Sequence, residues 1–312
     1  MQPTQDRHRP AVRPLQRTSE QGRRRGRLPG RLALAAVSLS VGAALVILAV
    51  PAGASARANP KLKPPAILQA GNLQFCSTIA TPPVEYYTAN HVPTGTDVEL
   101  GSAIARQLGL KPVWLNTGFT DIIPALQAGH CDLIMSDLYI KPTRIKVVNF
   151  VPYMWASESV VVKKGNPSHI TGMNMSLCGH RVAANFSTTA VEDTQAQSKA
   201  CTKAGKKAIT ITQFKTPIQA LQQLALGRAT AFATTTENGA YYMAQRKGLF
   251  QFAGPAYGKI LAGIAVKKGN PSLESAVTAA LRTLFKNHTY ARIFAKFGLA
   301  QEELAKLLPN RN

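Results

Sequence analysis

Four cysteines, six scattered histidines and a sparse set of carboxylates are the residues of this chain best suited to chemistry. Cys76, Cys131, Cys178 and Cys201 form no Cys-x-x-Cys pair and the histidines fall singly, so no metal centre is expected. No organic cofactor is expected either. An even cysteine count suits disulfides, with three pairings open. If the two halves of the chain fold separately, Cys76–Cys131 and Cys178–Cys201 is the natural arrangement. A buried free thiol is the competing reading for Cys131, where a strand begins. Asp137 and Glu237 could act as general acid and base only if burial kept a proton on one of them near neutral pH.

Positioning these residues falls to alternating short apolar strands and amphipathic helices. Residues 73–76, 112–115 and 132–135 read as strands, with helices over 97–108 and 120–128 between them. The order then repeats, with strands at 160–162, 181–184, 209–212 and 231–234. Thr216 and Pro217 open a helix whose apolar stripe is Ile218, Leu221, Leu224 and Leu226, with Gly227 as its stop. Helices over 273–285 and 290–297 follow, with a last amphipathic piece from Gln301. This order implies parallel sheets, and two such α/β units in series imply a cleft. Ligands in these sheets bind beyond the carboxyl ends of the strands, which directs attention to loops 77–87, 117–120, 136–144, 185–189 and 234–238.

The 312 residues include 37 basic against 15 acidic, a net charge of +22, and are 45% hydrophobic. A disordered or collagen-like chain is thereby excluded. Residues 1–31 carry nine arginines against Asp6 and Glu20, residues 32–50 carry no charge, and Ala54-Ser55-Ala56 and Ala56-Arg57-Ala58 follow. A positive flank, an apolar run and small residues make an export signal over 1–58. Nineteen uncharged residues exceed the usual signal core of about 7–15 and would suffice to span a bilayer. An uncleaved anchor at 32–50 is therefore the alternative. Either reading places the rest of the chain in the periplasm or outside the cell, after a proline-containing linker at 59–67. A nucleic-acid-binding arm fits poorly, because an apolar run stands directly behind it and no basic–aromatic interleaving follows.

The stretches Gly95-Thr-Asp-Val-Glu-Leu100, Ile123-Pro-Ala-Leu-Gln-Ala-Gly129, Cys131-Asp-Leu-Ile-Met-Ser136 and Tyr139-Ile-Lys-Pro-Thr-Arg144 stand in a recognisable order. Asn149-Phe-Val-Pro-Tyr153, Leu226-Gly-Arg228, Gly263-Ile-Ala-Val-Lys-Lys-Gly269 and His288-Thr-Tyr290 continue it. As an ordered set spanning roughly 68–300, they resemble the family 3 bacterial extracellular solute-binding proteins, the receptors of polar amino-acid ABC transporters. The resemblance implies a two-lobed α/β fold of the type II periplasmic-binding class: two parallel-type sheets with flanking helices, joined by a two-strand hinge. Lobe 1 would comprise 68–156 plus 262–312 and lobe 2 residues 157–261, with crossings near 153–159 and 257–264. The implied partners are a small carboxylate-bearing solute and a membrane permease, the protein itself acting as a monomer.

By the same resemblance, Arg144 takes the ligand α-carboxylate, Phe119 packs on the ligand, and Ser136 lies in the ligand-binding loop after the third strand. Thr188 and Thr189 match the pair that closes over the carboxylate from the second lobe. Several positions depart from the pattern. Thr235 stands where an acidic residue usually grips an α-ammonium, Thr81 where an aromatic is common, and Thr78 where a carboxylate sometimes lies. Asp137 replaces a small residue and Tyr139 a hydroxyl-bearing Ser or Thr. Glu85 and Glu237 either compensate for the missing acid or are solvated loop carboxylates. Two other functions stay open: a dehydratase acting on a cyclic carboxylic acid, and a ligand sensor tethered by 32–50 that signals through a separate partner.

Overall fold

The computed structural model describes residues 62–312; the expected export signal, the anchor at 32–50 and part of the linker fall outside the described residues. The first elements are β1 (Asn72–Ser77), the small hairpin β2 (Tyr86–Tyr87) and β3 (Pro93–Thr94), α1 (Thr96–Gln107), β4 (Lys111–Asn116), α2 (Ile122–Ala128), β5 (Leu133–Ile134) and the single turn α3 (Pro142–Ile145). Next come β6 (Val148–Lys163), β7 (Arg181–Asn185), α4 (Thr189–Lys203), β8 (Thr210–Phe214), α5 (Pro217–Ala225), β9 (Ala231–Thr235) and α6 (Thr236–Gln245). The chain finishes with β10 (Phe250–Phe252), β11 (Tyr257–Lys267), α7 (Pro271–Lys286) and α8 (Thr289–Lys296).

Local sequence explains where these elements start and stop. Gly95 enters α1 at φ 120°, and a Cβ there would lie 2.2 Å from the Val84 carbonyl oxygen, so only glycine lets the chain pass. Asp97 and Glu99 then occupy the first turn, where the helix dipole favours negative charge. Pro217 begins α5 where a missing N–H is harmless, and the Thr216 N–H donates to Gln219 Oε1 at 3.2 Å. The α5 stripe ends earlier than its spacing suggested: Leu221 and Leu224 are fully buried, but Leu226 lies past the last turn and is 63% exposed.

Nine strands form one hydrogen-bonded sheet in the order β4-β1-β5-β11-β6-β9-β7-β8, with β10 alongside β6. β4, β1 and β5 run parallel at one end and β8, β7 and β9 at the other, while β6 and β11 pair antiparallel between them. Side chains alternate faces along each strand, and the core divides accordingly. At the first end, Phe75, Leu133, Tyr153 and Ile264 pack beneath α1 and α7, while Cys76, Ile134, Phe150 and Ala265 pack with α2. At the second end, Val160, Val182 and Ala231 face α4, and Val161, Ala183 and Phe232 face α5 and α6. Each end is therefore a sheet covered on both faces.

The main departure from the sequence expectation is β6. It is one strand of 16 residues, whereas the sequence marked only 160–162. Asn149, Pro152, Ser157, Glu158 and Ser159 interrupt its apolar pattern, because β6 changes neighbours along its length, from β11 to β9 and β10. Helix α6 carried no clear signal, and α4 showed only its start. The expected piece from Gln301 is a short 3-10 turn, Ala300–Glu302. Beyond it the Leu304 N–H donates to the Tyr290 hydroxyl, and Arg311 bridges to Phe150. Both disulfides, Cys76–Cys131 and Cys178–Cys201, are present, so Cys131 is not a free thiol. Among the described residues no helix is long and apolar enough to cross a membrane.

Candidate functional site

The carboxyl ends of β1, β4, β5, β7 and β9 converge on one partly open cavity, where ligands bind in sheets of this kind. Nine residues matched to the family's ligand positions line it, whereas Thr78 and Glu237 do not. Thr81 comes from the loop after β1, Phe119 from the loop after β4, and Ser136, Asp137 and Tyr139 from the loop after β5. Arg144 comes from α3, Thr188 and Thr189 from the start of α4, and Thr235 from the end of β9.

Arg144 is held before any ligand arrives. Its Nη1 donates to the Tyr139 carbonyl at 3.0 Å, and its guanidinium lies 5.5 Å from the centroid of the Phe119 ring. Burial lowers its pKa, a tendency that Glu192, Asp137 and Tyr139 oppose. Thr188 precedes α4 and donates its hydroxyl proton to the Asn185 carbonyl at 2.7 Å. The first N–H groups of a helix have no intrahelical acceptor, so the start of α4 is a natural place for an anion.

Other polar groups are already committed. The Ser136 hydroxyl accepts from the Thr78 N–H at 2.9 Å and donates to Glu85 Oε1 at 3.0 Å. Thr235 caps α6, accepting from the Asn238 N–H. Three polar contacts join the two sides of the cavity: the Lys141–Glu192 ion pair at 2.6 Å, Thr120 with Ser187 at 3.3 Å, and Asn238 Nδ2 donating to the Pro82 carbonyl at 2.7 Å.

This geometry coincides with a family match. The model for bacterial extracellular solute-binding proteins, family 3, matches residues 73–300. The chain belongs to that family. Among relatives of this solute-binding protein is the arginine-binding protein of Corynebacterium glutamicum, 28% identical over 79% of this chain and 81% of the relative. An ancestral arginine-binding protein solved with arginine superposes with a TM-score of 0.67 at 31% identity, covering 73% of this chain and 98% of that one. A second ancestral amino-acid-binding protein, described as a precursor of cyclohexadienyl dehydratase, gives 0.64 at 30% identity, covering 73% and 95%. The neighbours confirm the periplasmic-binding class of α/β fold, and an exported location follows from the family.

The solute-binding protein departs from sequence expectation in where it keeps its carboxylates. Glu85 and Glu237 are not solvated: they are 1% and 2% exposed. Glu85 lines the cavity, while Glu237 lies in the first turn of α6, outside the lining. Asp97 accepts at Oδ2 from the Asp137 N–H and the Tyr153 hydroxyl, both at 2.8 Å, and Asp137 adopts φ 43°. Glu158, on β6 and directly paired with Thr235, also lines the cavity. Sequence reasoning missed it because it sits in a stretch read as a crossing between lobes; a lone charge between Ser157 and Ser159 was the available signal.

Burial is the chief reason that all these carboxyls hold their protons more tightly than usual. Asp97 and Glu237 are pushed up to about 7, in each case by burial, with hydrogen bonds to Asp97 from the Asp137 N–H and Tyr153 working the other way. Glu158 is pushed up to about 8 by burial, then by Glu237 and Asp193. Burial raises Glu85 and Asp137 too, reinforced by Asp97 at Glu85 and by Glu237 at Asp137. Tyr139 is raised by burial and by Glu158.

Proposed function

We propose that this protein captures a small carboxylate-bearing solute, an amino acid or close derivative, by closing two lobes over it, and delivers it to an ABC permease. One observation carries the reading: Arg144 is the single cationic side chain among the described residues lining the cavity, and it shares that cavity with the start of α4. A guanidinium fork and unpartnered helix N–H groups both suit a carboxylate. The arginine-binding names of relatives support an amino acid as its carrier.

The lobes would be 68–156 plus 262–312 and 157–261. This division is supported by β6 and β11 being shared by both ends of the sheet, and by a lining drawn from both. Closure requires the solute to bind the closed form better than the open one. The export signal would be removed before the linker at 59–67, and the monomer would work outside the cytoplasmic membrane. N-terminal sequencing of the mature protein separates this from a tethered sensor, which would retain 32–50.

A thermal-shift screen of amino acids, betaines and organic acids tests the reading. At least one amino acid should raise the melting temperature, and Arg144→Ala should abolish that rise; a panel without any stabilising solute contradicts it. A second reading, a dehydratase on a cyclic carboxylic acid, draws on Glu158, a cavity carboxyl protonated near neutral pH, and on the precursor neighbour. Incubation with prephenate or arogenate would reveal it as product formation.

A further inference from the structure

Acidic residues are scarce beyond position 58, thirteen against 27 basic, yet eight of them are buried, and Glu85, Asp97, Asp137, Glu158 and Glu237 among these gather at or beside the cavity. Asp97 is used structurally, accepting two hydrogen bonds at one oxygen. Three others line the cavity, and each keeps a buried oxygen with no hydrogen-bond partner: Glu85 Oε2, Asp137 Oδ1 and Glu158 Oε2. None of these three is in an ion pair among the described residues. Arg144 turns one nitrogen toward the Tyr139 carbonyl. A buried carboxylate without a cation is strongly disfavoured, and so is a buried polar atom without a partner. Their positions are separate: Glu85 and Asp137 belong to the loops after β1 and β5, whereas Glu158 stands on β6 opposite Thr235.

We propose that the solute carries two positive groups besides its carboxylate, one seated on Glu85 and Asp137 and the other on Glu158. The chemical class is a basic amino acid. This rests on the carboxylate reading for Arg144 and adds to it two specificity-determining positions, Asp137 and Glu158. Thr235 then needs no charge, because its neighbour on the adjacent strand supplies one. Paired residues on antiparallel strands have their Cβ atoms only about 4.5–5.5 Å apart, so a carboxylate moved from one to the other stays within the same part of the cavity.

Proton release follows. Around Glu158 stand Glu237, Asp193, Tyr139, Tyr257 and Lys141; around Asp137 stand Glu85, Asp97, Glu237, Tyr139, Tyr153 and Arg144. Acidic neighbours outnumber basic ones in both places, so the free cavity retains protons that an incoming cation must displace. Affinity for a basic amino acid should therefore rise between pH 6 and pH 8.

Calorimetric titration with arginine and with glutamine, in buffers of different ionisation enthalpy, reads both specificity and proton release. Arginine should bind about thirtyfold or more tighter than glutamine and expel protons on binding. Asp137→Asn should weaken arginine by about thirtyfold while leaving glutamine within about threefold, whereas Glu158→Gln, at the α-ammonium seat, should weaken both by about thirtyfold. Asparagine tolerates the positive φ of position 137, and melting curves of both variants verify folding. Glutamine binding as tightly as arginine, or arginine affinity unchanged in both variants, overturns the two-cation subsite and leaves the amino-acid reading intact. If arginine, glutamine and the remaining amino acids all fail to bind, the carboxylate reading itself falls.

Discussion

A guanidinium lying against Phe119 and tied to the Tyr139 carbonyl has lost much of its freedom before the solute arrives, so its hydrogen bonds are made at reduced entropic cost. Lysine at 144 would keep the charge but lose the planar pair of donors. Arg144→Lys should therefore weaken binding of any carboxylate solute by about 2–3 kcal/mol, the scale of a charge-assisted hydrogen bond, with little change in melting temperature; paired calorimetry and thermal denaturation check this. At this scale the resemblance was informative about position: Arg144, Phe119 and the pair Thr188 and Thr189 all reach one cavity. It was uninformative where burial decides the chemistry. Glu85 and Glu237 read equally well as solvated, and nothing in a linear string shows that each is almost fully enclosed. Thr235, seen first as a missing acid, proves to be the cap of α6.

Elements short enough to be punctuated by Gly and Pro were legible, and β6 was not. α1, α2, α5 and α7 begin or end at residues with a defined backbone role, such as Gly95, Gly129, Pro217 and Pro271. β6 carries Pro152 in its interior, not at an end, and changes partners midway, so its polarity follows no single period. Gly95 offers the sharpest test at this level. A methyl group there would meet the Val84 carbonyl at 2.2 Å on a backbone already at φ 120°. Gly95→Ala should destabilise the fold by about 2–4 kcal/mol, read as a lower urea midpoint, and should displace the start of α1, from which Asp97 supports the Asp137 loop. A midpoint unchanged within error would show that the turn yields more easily than its geometry implies.

Across the whole molecule, charge is arranged by depth. The exterior is basic, while Glu85, Asp97, Asp137, Glu158 and Glu237 lie inside. Their pKa values are raised in the folded state, Asp97 and Glu237 to about 7 and Glu158 to about 8. The folded protein consequently holds protons that the unfolded chain releases near pH 4. Their stabilising contribution is complete below that pH and is lost as pH rises through about 7 and 8. Without solute, the melting temperature should be higher at pH 5.5 than at pH 8.5, and the double variant Asp137→Asn, Glu158→Gln should flatten the difference. A melting temperature that climbed with pH in the wild type would show these carboxyls to be ionised in the free protein.

The central claim, capture of a small solute through its carboxylate at Arg144, is tested most directly by calorimetric titration with amino acids and with the amines left when their carboxylates are removed. One amino acid should bind at a single site, its amine should bind at least about a hundredfold more weakly, and Arg144→Ala should reduce the two to similar weak affinities. An amine that binds the wild-type protein as tightly as its parent amino acid, or an Arg144→Ala variant that still prefers the amino acid, would contradict it.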